Sequence, residues 1–285
     1  MWRAAVKMKF LILLTILKIA VAGVVKEEAC DGVEVNGVYH DKEVIKEDLD
    51  RPYSLAVDYS TNTLYFSYSV NQNDDVFKTA KIELDSKEFS DIDILNGFAQ
   101  TVDEENNDVY IGSNDGIYKY DHDTDKAEFF GQRGSDIWTI FYKDELYYSE
   151  FPSQFLYTLI NDTIIRFKDL EDTKVDHFII DNNDTMFYTN ATGFYSQKKG
   201  TKDAVFYQEF LSSGLRGLTT DKDGNVYACL RDGIYAVDKI ETSLKKAATV
   251  DDCFGIAFDN DSNLIYADHK SIVRLKPNKT KSCTV

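Results

Sequence analysis

The 285-residue sequence predicts an all-β protein, a six-bladed β-propeller with four strands to the blade. Six segments repeat one pattern of apolar strand, acidic or Asn-rich turn and returning Tyr-bearing strand: RPYSLAVDYSTNTLYFS, NGFAQTVDEENNDVYIG, SDIWTIFYKDELYYSE, VDHFIIDNNDTMFYTN, GLRGLTTDKDGNVYACL and DCFGIAFDNDSNLIYAD. The residues opening the six turns, Asp58, Asp103, Lys143, Asp181, Asp221 and Asp259, are spaced by 45, 40, 38, 40 and 38 residues. A period of about forty with several short strands per unit marks propeller blades. Finally, the sixth repeat lacks an outer strand, while a spare strand-like segment precedes the first.

The first residues lie outside this scheme. Arg3, Lys7 and Lys9 precede the apolar run FLILLTILKIAVAG, and Ala20-Val21-Ala22 offers small residues for cleavage. Residues 1–23 are therefore expected to be a secretory signal peptide, with Met8 available as a second start. The run is short for a bilayer span and is interrupted by Lys18. Residues 24–285 are expected to form a single propeller domain. Its first strand, within HDKEVIKEDL, is expected to complete the last blade beside SIVRLKP. That pairing would close the ring and cover the sheet edge.

The second repeat displays the blade best: AQTVD innermost, then DVYIG, GIYKYD and AEFFG outermost. Alternation and Tyr, Phe, Val and Ile content favour strands over helices. Asn, Asp and Gly between them supply the local hydrogen bonds and positive φ that hairpins need. A glycine opens the third strand at Gly116, Gly193 and Gly233. Four cysteines suit an oxidising compartment and two disulfides. Placed on the repeats, they suggest Cys30–Cys283 at the two ends of a closed ring, and Cys229–Cys253 between repeats five and six.

The formal net charge is −17, and −21 without residues 1–23, which leaves 28 basic against 49 acidic residues. Such acidity argues against nucleic acid and anionic membranes as partners. Spread through the turns, it suits solubility in a concentrated extracellular fluid, and a monomer is expected.

In a propeller, the inner-strand starts and the loops between second and third strands share one face. Five residues before each turn opener stand Tyr53, Phe98, Trp138, Asp176, Arg216 and Phe254, with His177 beside the acidic member. Four of these six are aromatic, enough to wall an axial mouth for a planar ligand. Arg216 suits a ligand carboxylate or sulfate, or a stacked aromatic system. Packing between blades is the other role open to the same rings. The second-to-third-strand loops add Tyr68, Asn114, Glu150, Asn190, Arg231 and His269 as candidates. Glycosylation sequons stand at Asn161, Asn183, Asn190, Asn260 and Asn278, and all but Asn190 fall in turns expected on the face away from the mouth.

Catalysis finds little support. Calcium at the axis would need roughly six to eight converging oxygens, and Asp176 is the one carboxylate among the ring positions. Gluconolactonase-like propellers open with a Glu-Gly-Pro-x-Trp segment bearing a metal-binding glutamate, whereas this chain has Arg51-Pro52-Tyr53-Ser54-Leu55 at that place. A Gly-x-Ser-x-Gly elbow, a His-Glu-x-x-His helix and a phosphate-cradling glycine loop are all missing. No catalytic residue, metal or cofactor is expected. A binding protein is the better reading, with a calcium-dependent lactonase and a protein-binding propeller as alternatives.

The stretch from Cys30 to Ser69, CDGVEVNGVYHDKEVIKEDLDRPYSLAVDYSTNTLYFSYS, resembles the mature N-terminal region of the lepidopteran ommochrome-binding proteins. GFAQTVDEENNDVYIGSNDG, GIYKYD and DGNVYACLRDGIYAVD look like the same family, so the resemblance spans essentially the whole of 24–285. It implies a secreted haemolymph protein that binds ommatin-type pigments, planar tryptophan-derived aromatics with polar, often anionic substituents. It carries over no ligand residue; the aromatic ring with Arg216 is the site inferred from the repeats.

Overall fold

The computed structural model describes residues 30–70, 76–160, 163–209 and 214–281. Among them strands make up nearly all regular structure, relieved by one 3-10 turn at Lys168–Leu170. β1 (Val33–Val35) and β2 (Val38–Lys46) form a hairpin whose turn residues, Asn36 and Gly37, have φ of 49° and 81°. Two positive φ values are what a tight two-residue hairpin turn requires.

Four sheets of four antiparallel strands follow. The first contains β3 (Tyr53–Asp58), β4 (Thr63–Ser69), β5 (Phe77–Glu83) and β6 (Phe89–Ile92). The second contains β7 (Gly97–Asp103), β8 (Asp108–Ser113), β9 (Gly116–Asp121) and β10 (Lys126–Gly131). In the third are β11 (Asp136–Lys143), β12 (Glu145–Phe151), β13 (Leu156–Ile160) and β14 (Thr163–Arg166). The fourth holds β15 (His177–Ile180), β16 (Thr185–Asn190), β17 (Gly193–Lys198) and β18 (Ala204–Gln208). These are the four-stranded units the repeats predict.

The remaining strands join in one nine-stranded sheet. β19 (Gly217–Thr220), β20 (Val226–Leu230), β21 (Gly233–Asp238) and β22 (Ser243–Ala248) lead into the β1–β2 hairpin through a Val35–Ala248 bridge. Beyond β2 the order reverses to β25 (Ile272–Pro277), β24 (Leu264–Ala267) and β23 (Gly255–Phe258). β2 thus lies antiparallel on β25, with Glu43 opposite Arg274. The short β1, which ties β22 to this pair, was not legible as a separate strand.

The turn openers explain the repeat chemically. Asp58, Asp103, Asp181, Asp221 and Asp259 each accept a hydrogen bond from the backbone N–H two residues on, at 2.8–3.1 Å. Such Asx-turns pre-shape a hairpin without help from elsewhere. Lys143 departs from the pattern because β11 and β12 are joined through Asp144 alone (φ 57°). Its ammonium donates instead to the Asp181 carbonyl and to Asp184 in the next sheet. At the third-strand starts, Gly193 and Gly233 have φ of 150° and 154°. A Cβ there would lie 2.3 and 2.5 Å from the carbonyl oxygens of Gln208 and Ala248, so a side chain is excluded by both strain and contact.

The core fills the spaces between neighbouring sheets. Tyr65 and Ile92 of the first meet Val109, Ile111 and Tyr120 of the second, while Phe187 and Phe194 of the fourth meet Val226 and Leu230. Each large apolar side chain so buried contributes about 1.5–3 kcal/mol. Arg274, 5% exposed, binds Asp259, Glu43 and the Leu84 carbonyl, joining β25 to β2 and to the first sheet. Partial burial works against the Glu43 carboxylate, yet hydrogen bonds from Arg274, Lys276 and Lys87 hold its pKa down at about 2. A Cys229–Cys253 disulfide, Cα atoms 5.9 Å apart, ties β20 to the approach to β23. Residues 1–23, Cys283 and Asn161 lie outside the described residues. No helix among the described residues is long and apolar enough to cross a membrane.

Candidate functional site

The first strands of the repeats gather around one space. β3 packs beside β7, β7 beside β11, β11 beside β15, β15 beside β19, β19 beside β23, and β23 beside β3. Together they enclose a cavity of about 240 Å³, lined at one end by Tyr53, Phe98, Trp138, Asp176, His177 and Arg216. Its walls run along the strands to Tyr59, Glu104 and Tyr142 at the other end.

At the first end the strands are not regular. Gly97 pairs with Ser113 and Ala99 with Gly112, so Phe98 is an extra, unopposed residue. Trp138 is the extra residue of β11 in the same way, between Ile137–Glu150 and Thr139–Ser149. β3 also gains a residue between Tyr53 and Ala56, where Ser54 has a φ of 54°. A bulge bends its strand and re-aims the side chain it carries. β15, β19 and β23 begin one residue later, at His177, Gly217 and Gly255, and there the Asp176, Arg216 and Phe254 N–H groups reach the same partners, the Thr189, Cys229 and Ala267 carbonyls, at 2.8–2.9 Å.

The re-aimed rings meet in a row. Phe98 stacks on Trp138 with centroids 5.4 Å apart and planes 28° apart, and Trp138 continues to Phe151 at 5.9 Å. In the other direction Phe98 contacts Tyr53 at 5.9 Å, and Tyr53 contacts Phe254 at 5.3 Å. Phe77 supports the row from behind, 4.8 Å from Phe98. Trp138 is 37% and Phe151 52% exposed, so this end of the row offers flat apolar surface to solvent. Phe254 does not: it is 8% exposed, and the Arg216 guanidinium covers its face at 4.1 Å. Its place is beneath the rim, where it packs Tyr53 and Arg216.

The other side of the mouth is polar. Arg216 pairs with Asp252 at 2.9 Å, and Arg231 approaches the same carboxylate at 3.6 Å. The cation expected to meet a ligand is thus already steered by an acid that lies outside the repeat register. Asp176 accepts a hydrogen bond from Gln154, and burial raises its pKa. His177 lies 3.1 Å from the Thr189 hydroxyl, and burial lowers its pKa to about 4, so the ring is neutral at physiological pH. A second, open hollow of about 670 Å³ adjoins this side, lined by Arg51, Asp252, Phe254, His269 and Lys270 among others.

Two expected residues are not in the mouth. Tyr68 packs on Phe66 and Phe89 and donates to Asp91 at 2.8 Å, on the flank of the first sheet. Glu150 accepts from the Ser135 hydroxyl at 2.8 Å and does not line the cavity. Its neighbour Phe151 is the one that reaches the rings. Phe77, Phe151, Asp252 and the cavity-lining Gln100 were missed because a single repeat position was followed around the ring. Asn183 and Asn260 lie in the turns after β15 and β23, Asn278 follows β25, and Asn190 ends β16, where its Oδ1 accepts from the Thr192 and Gly193 N–H groups.

The donor set does not fit a calcium cage. Asp176 and Glu104 are the carboxylates lining the cavity, and they stand at opposite ends of it. Among the described residues no group of three or more His, Cys, Asp or Glu side chains comes together.

No family model matches the sequence. In three dimensions the chain is similar to a gluconolactonase from Xanthomonas campestris, with a TM-score of 0.70 at 13% identity over 87% of this chain and 96% of that one. It is also similar to the calcium-binding protein regucalcin from Agrobacterium tumefaciens, with a TM-score of 0.64 at 10% identity over 84% and 96% of the two chains. At such identities the likeness speaks for the propeller-like fold. Sequence similarity is more specific: the ommochrome-binding protein of Manduca sexta is 30% identical over 277 residues, 94% of this chain and 98% of that protein. With a match of that identity running from end to end of both proteins, the chain belongs to the ommochrome-binding protein family.

Proposed function

We propose that this protein is a secreted, non-enzymatic carrier of ommatin-type pigments, which it binds at the aromatic mouth of a closed six-bladed propeller. The observation that carries the reading is the Phe98–Trp138–Phe151 row, exposed at Trp138 and Phe151, with Arg216 and Arg231 across the opening. A planar pigment laid on the row would bury a large aromatic area. An acidic substituent would compete with Asp252 for the two guanidiniums, and charge-assisted pairs of that kind fix orientation. Shielding in the mouth would suit transport or storage of a poorly soluble, redox-active metabolite. Family membership supports the ligand class, and the cyclic succession of inner strands supports six blades.

The remaining features belong to the same proposal. Removal of residues 1–23 would release the chain to the haemolymph as a monomer. A Cys30–Cys283 bridge would fasten its ends, and sugars at Asn183, Asn260 and Asn278 would sit away from the mouth. The gluconolactonase-like relatives keep a calcium-dependent lactonase as the second reading. That reading requires a metal-dependent turnover that a chelator abolishes.

Titration with xanthommatin decides between them. The sequence holds two tryptophans, Trp2 and Trp138, so in protein starting after residue 23 the tryptophan fluorescence comes from Trp138 alone. Quenching with a shifted visible spectrum is the expected result. An unchanged emission and spectrum would sink the carrier reading.

A further inference from the structure

We infer that the channel beneath the rim is a second, polar subsite of this carrier, in which Gln100 reads an uncharged or zwitterionic hydrogen-bonding side chain of the ligand. The inference rests on the carrier reading and extends it from the rings of the ligand to its tail.

Gln100 is 6% exposed and lines the cavity. Neither its Oε1 nor its Nε2 has a hydrogen-bond partner. Buried amides are normally paired, and an orphan calls for an occupant. The other buried unpartnered side-chain atoms among the described residues, on Asp50, Thr79, Tyr148 and Ser149, lie off this cavity. The repeat makes the same point independently. Three residues before the turn opener, the other inner strands carry Leu55, Ile140, Phe178, Leu218 and Ile256, which line the cavity too. Packing alone would accept a sixth apolar residue there.

Geometry and chemistry narrow the occupant. Gln100 lies two residues along β7 from Phe98, about 7 Å at the rise of a strand. A ring stacked at the rim could reach it with a chain of roughly five bonds. The amide offers a donor and an acceptor side by side, so its partner must accept and donate as well. An isolated carboxylate would meet like charge, because Asp176 and Glu104 line the same cavity. An amino-acid head group or a primary amide satisfies both conditions, whereas a lone carboxylate does not.

The test uses two probes, xanthommatin, whose fused rings carry an amino-acid side chain, and 2-aminophenoxazin-3-one, the related rings without one. Gln100→Leu should weaken xanthommatin about tenfold and leave the bare rings unchanged, as expected for one lost hydrogen-bonded contact. Equal loss for both probes, or loss for neither, would overturn the subsite and leave a channel filled with water only. Failure of both probes to bind wild-type protein would instead bring down the carrier reading, and the subsite with it. Thermal unfolding without ligand provides the control. All five other repeats carry an apolar residue here, two of them Leu, so the variant should melt no lower than wild type; a marked drop would give Gln100 a structural role and refute the inference.

Discussion

At one end of the six inner strands, five of the six turn openers are aspartates that bond their own turns; at the other end the matching positions are Tyr, Phe, Trp, Asp, Arg and Phe. The first end is chemically uniform because each hairpin has the same local need, a carboxylate to satisfy backbone N–H groups. The second end is diverse because its residues face one shared opening and need not repeat. Within that opening the difference is sharper still. The first three sheets present partly exposed aromatics, and the last three present an acid, a histidine and arginines paired to Asp252. Repetition therefore marks what holds the sheets, and its breakdown marks what they jointly present.

Breaking the uniform end should cost the most. Arg274→Met would strip the cation from Asp259, which is 1% exposed, and from Glu43. We expect a loss of about 3–5 kcal/mol in urea unfolding, with pigment affinity of the remaining folded protein nearly unchanged. If stability held, the ion network would not fasten β2 to the last strands.

The polar half of the mouth should carry a pH signature. His177 stays neutral in the folded protein down to about 4, whereas an unfolded chain takes up the proton near the ordinary 6.5. Its contribution is therefore intact above pH 6.5 and is lost as pH falls toward 4, by up to about 3 kcal/mol. Burial raises the Glu104 carboxyl to about 7, so that group opposes the trend across the same range. Comparing the pH dependence of urea midpoints for wild type and His177→Gln isolates the histidine. Identical curves would place His177 in a solvated setting.

The aromatic half should respond in affinity and hardly in stability. Because Trp138 is 37% exposed, Trp138→Ala should shift the melting free energy by no more than about 1 kcal/mol. Xanthommatin binding, followed by its visible spectrum, should weaken about ten- to thirtyfold with loss of the stacked face. Unchanged affinity would move the pigment off this row.

The legible parts of this protein are those with local causes. Asp58, Asp103, Asp181, Asp221 and Asp259 announce their turns, Gly193 and Gly233 announce their third strands, and the second repeat gave its strands to within two residues. Cys229 and Cys253 could be paired because each sat at a known place in adjacent repeats. Tyr68 misled for a reason just as local: strand alternation aims it at Phe66 and Phe89 on the sheet flank, away from the loop's open side. Phe254 misled because the face it would offer a ligand is occupied by Arg216, a neighbour 38 residues away in sequence.

By itself the sequence determined the all-β class, the four-strand unit and the turn chemistry, and it singled out six inner-strand positions, since each follows from a period or from bonds within a few residues. Only the tertiary structure decided which of those six are open. Bulges at Phe98 and Trp138 depend on the register between two strands, the pairing of Arg216 with Asp252 depends on one sheet approaching the next, and the orphaned amide of Gln100 depends on six strands enclosing one space. Contacts of that kind have no period, because they arise between repeats and differ at every junction.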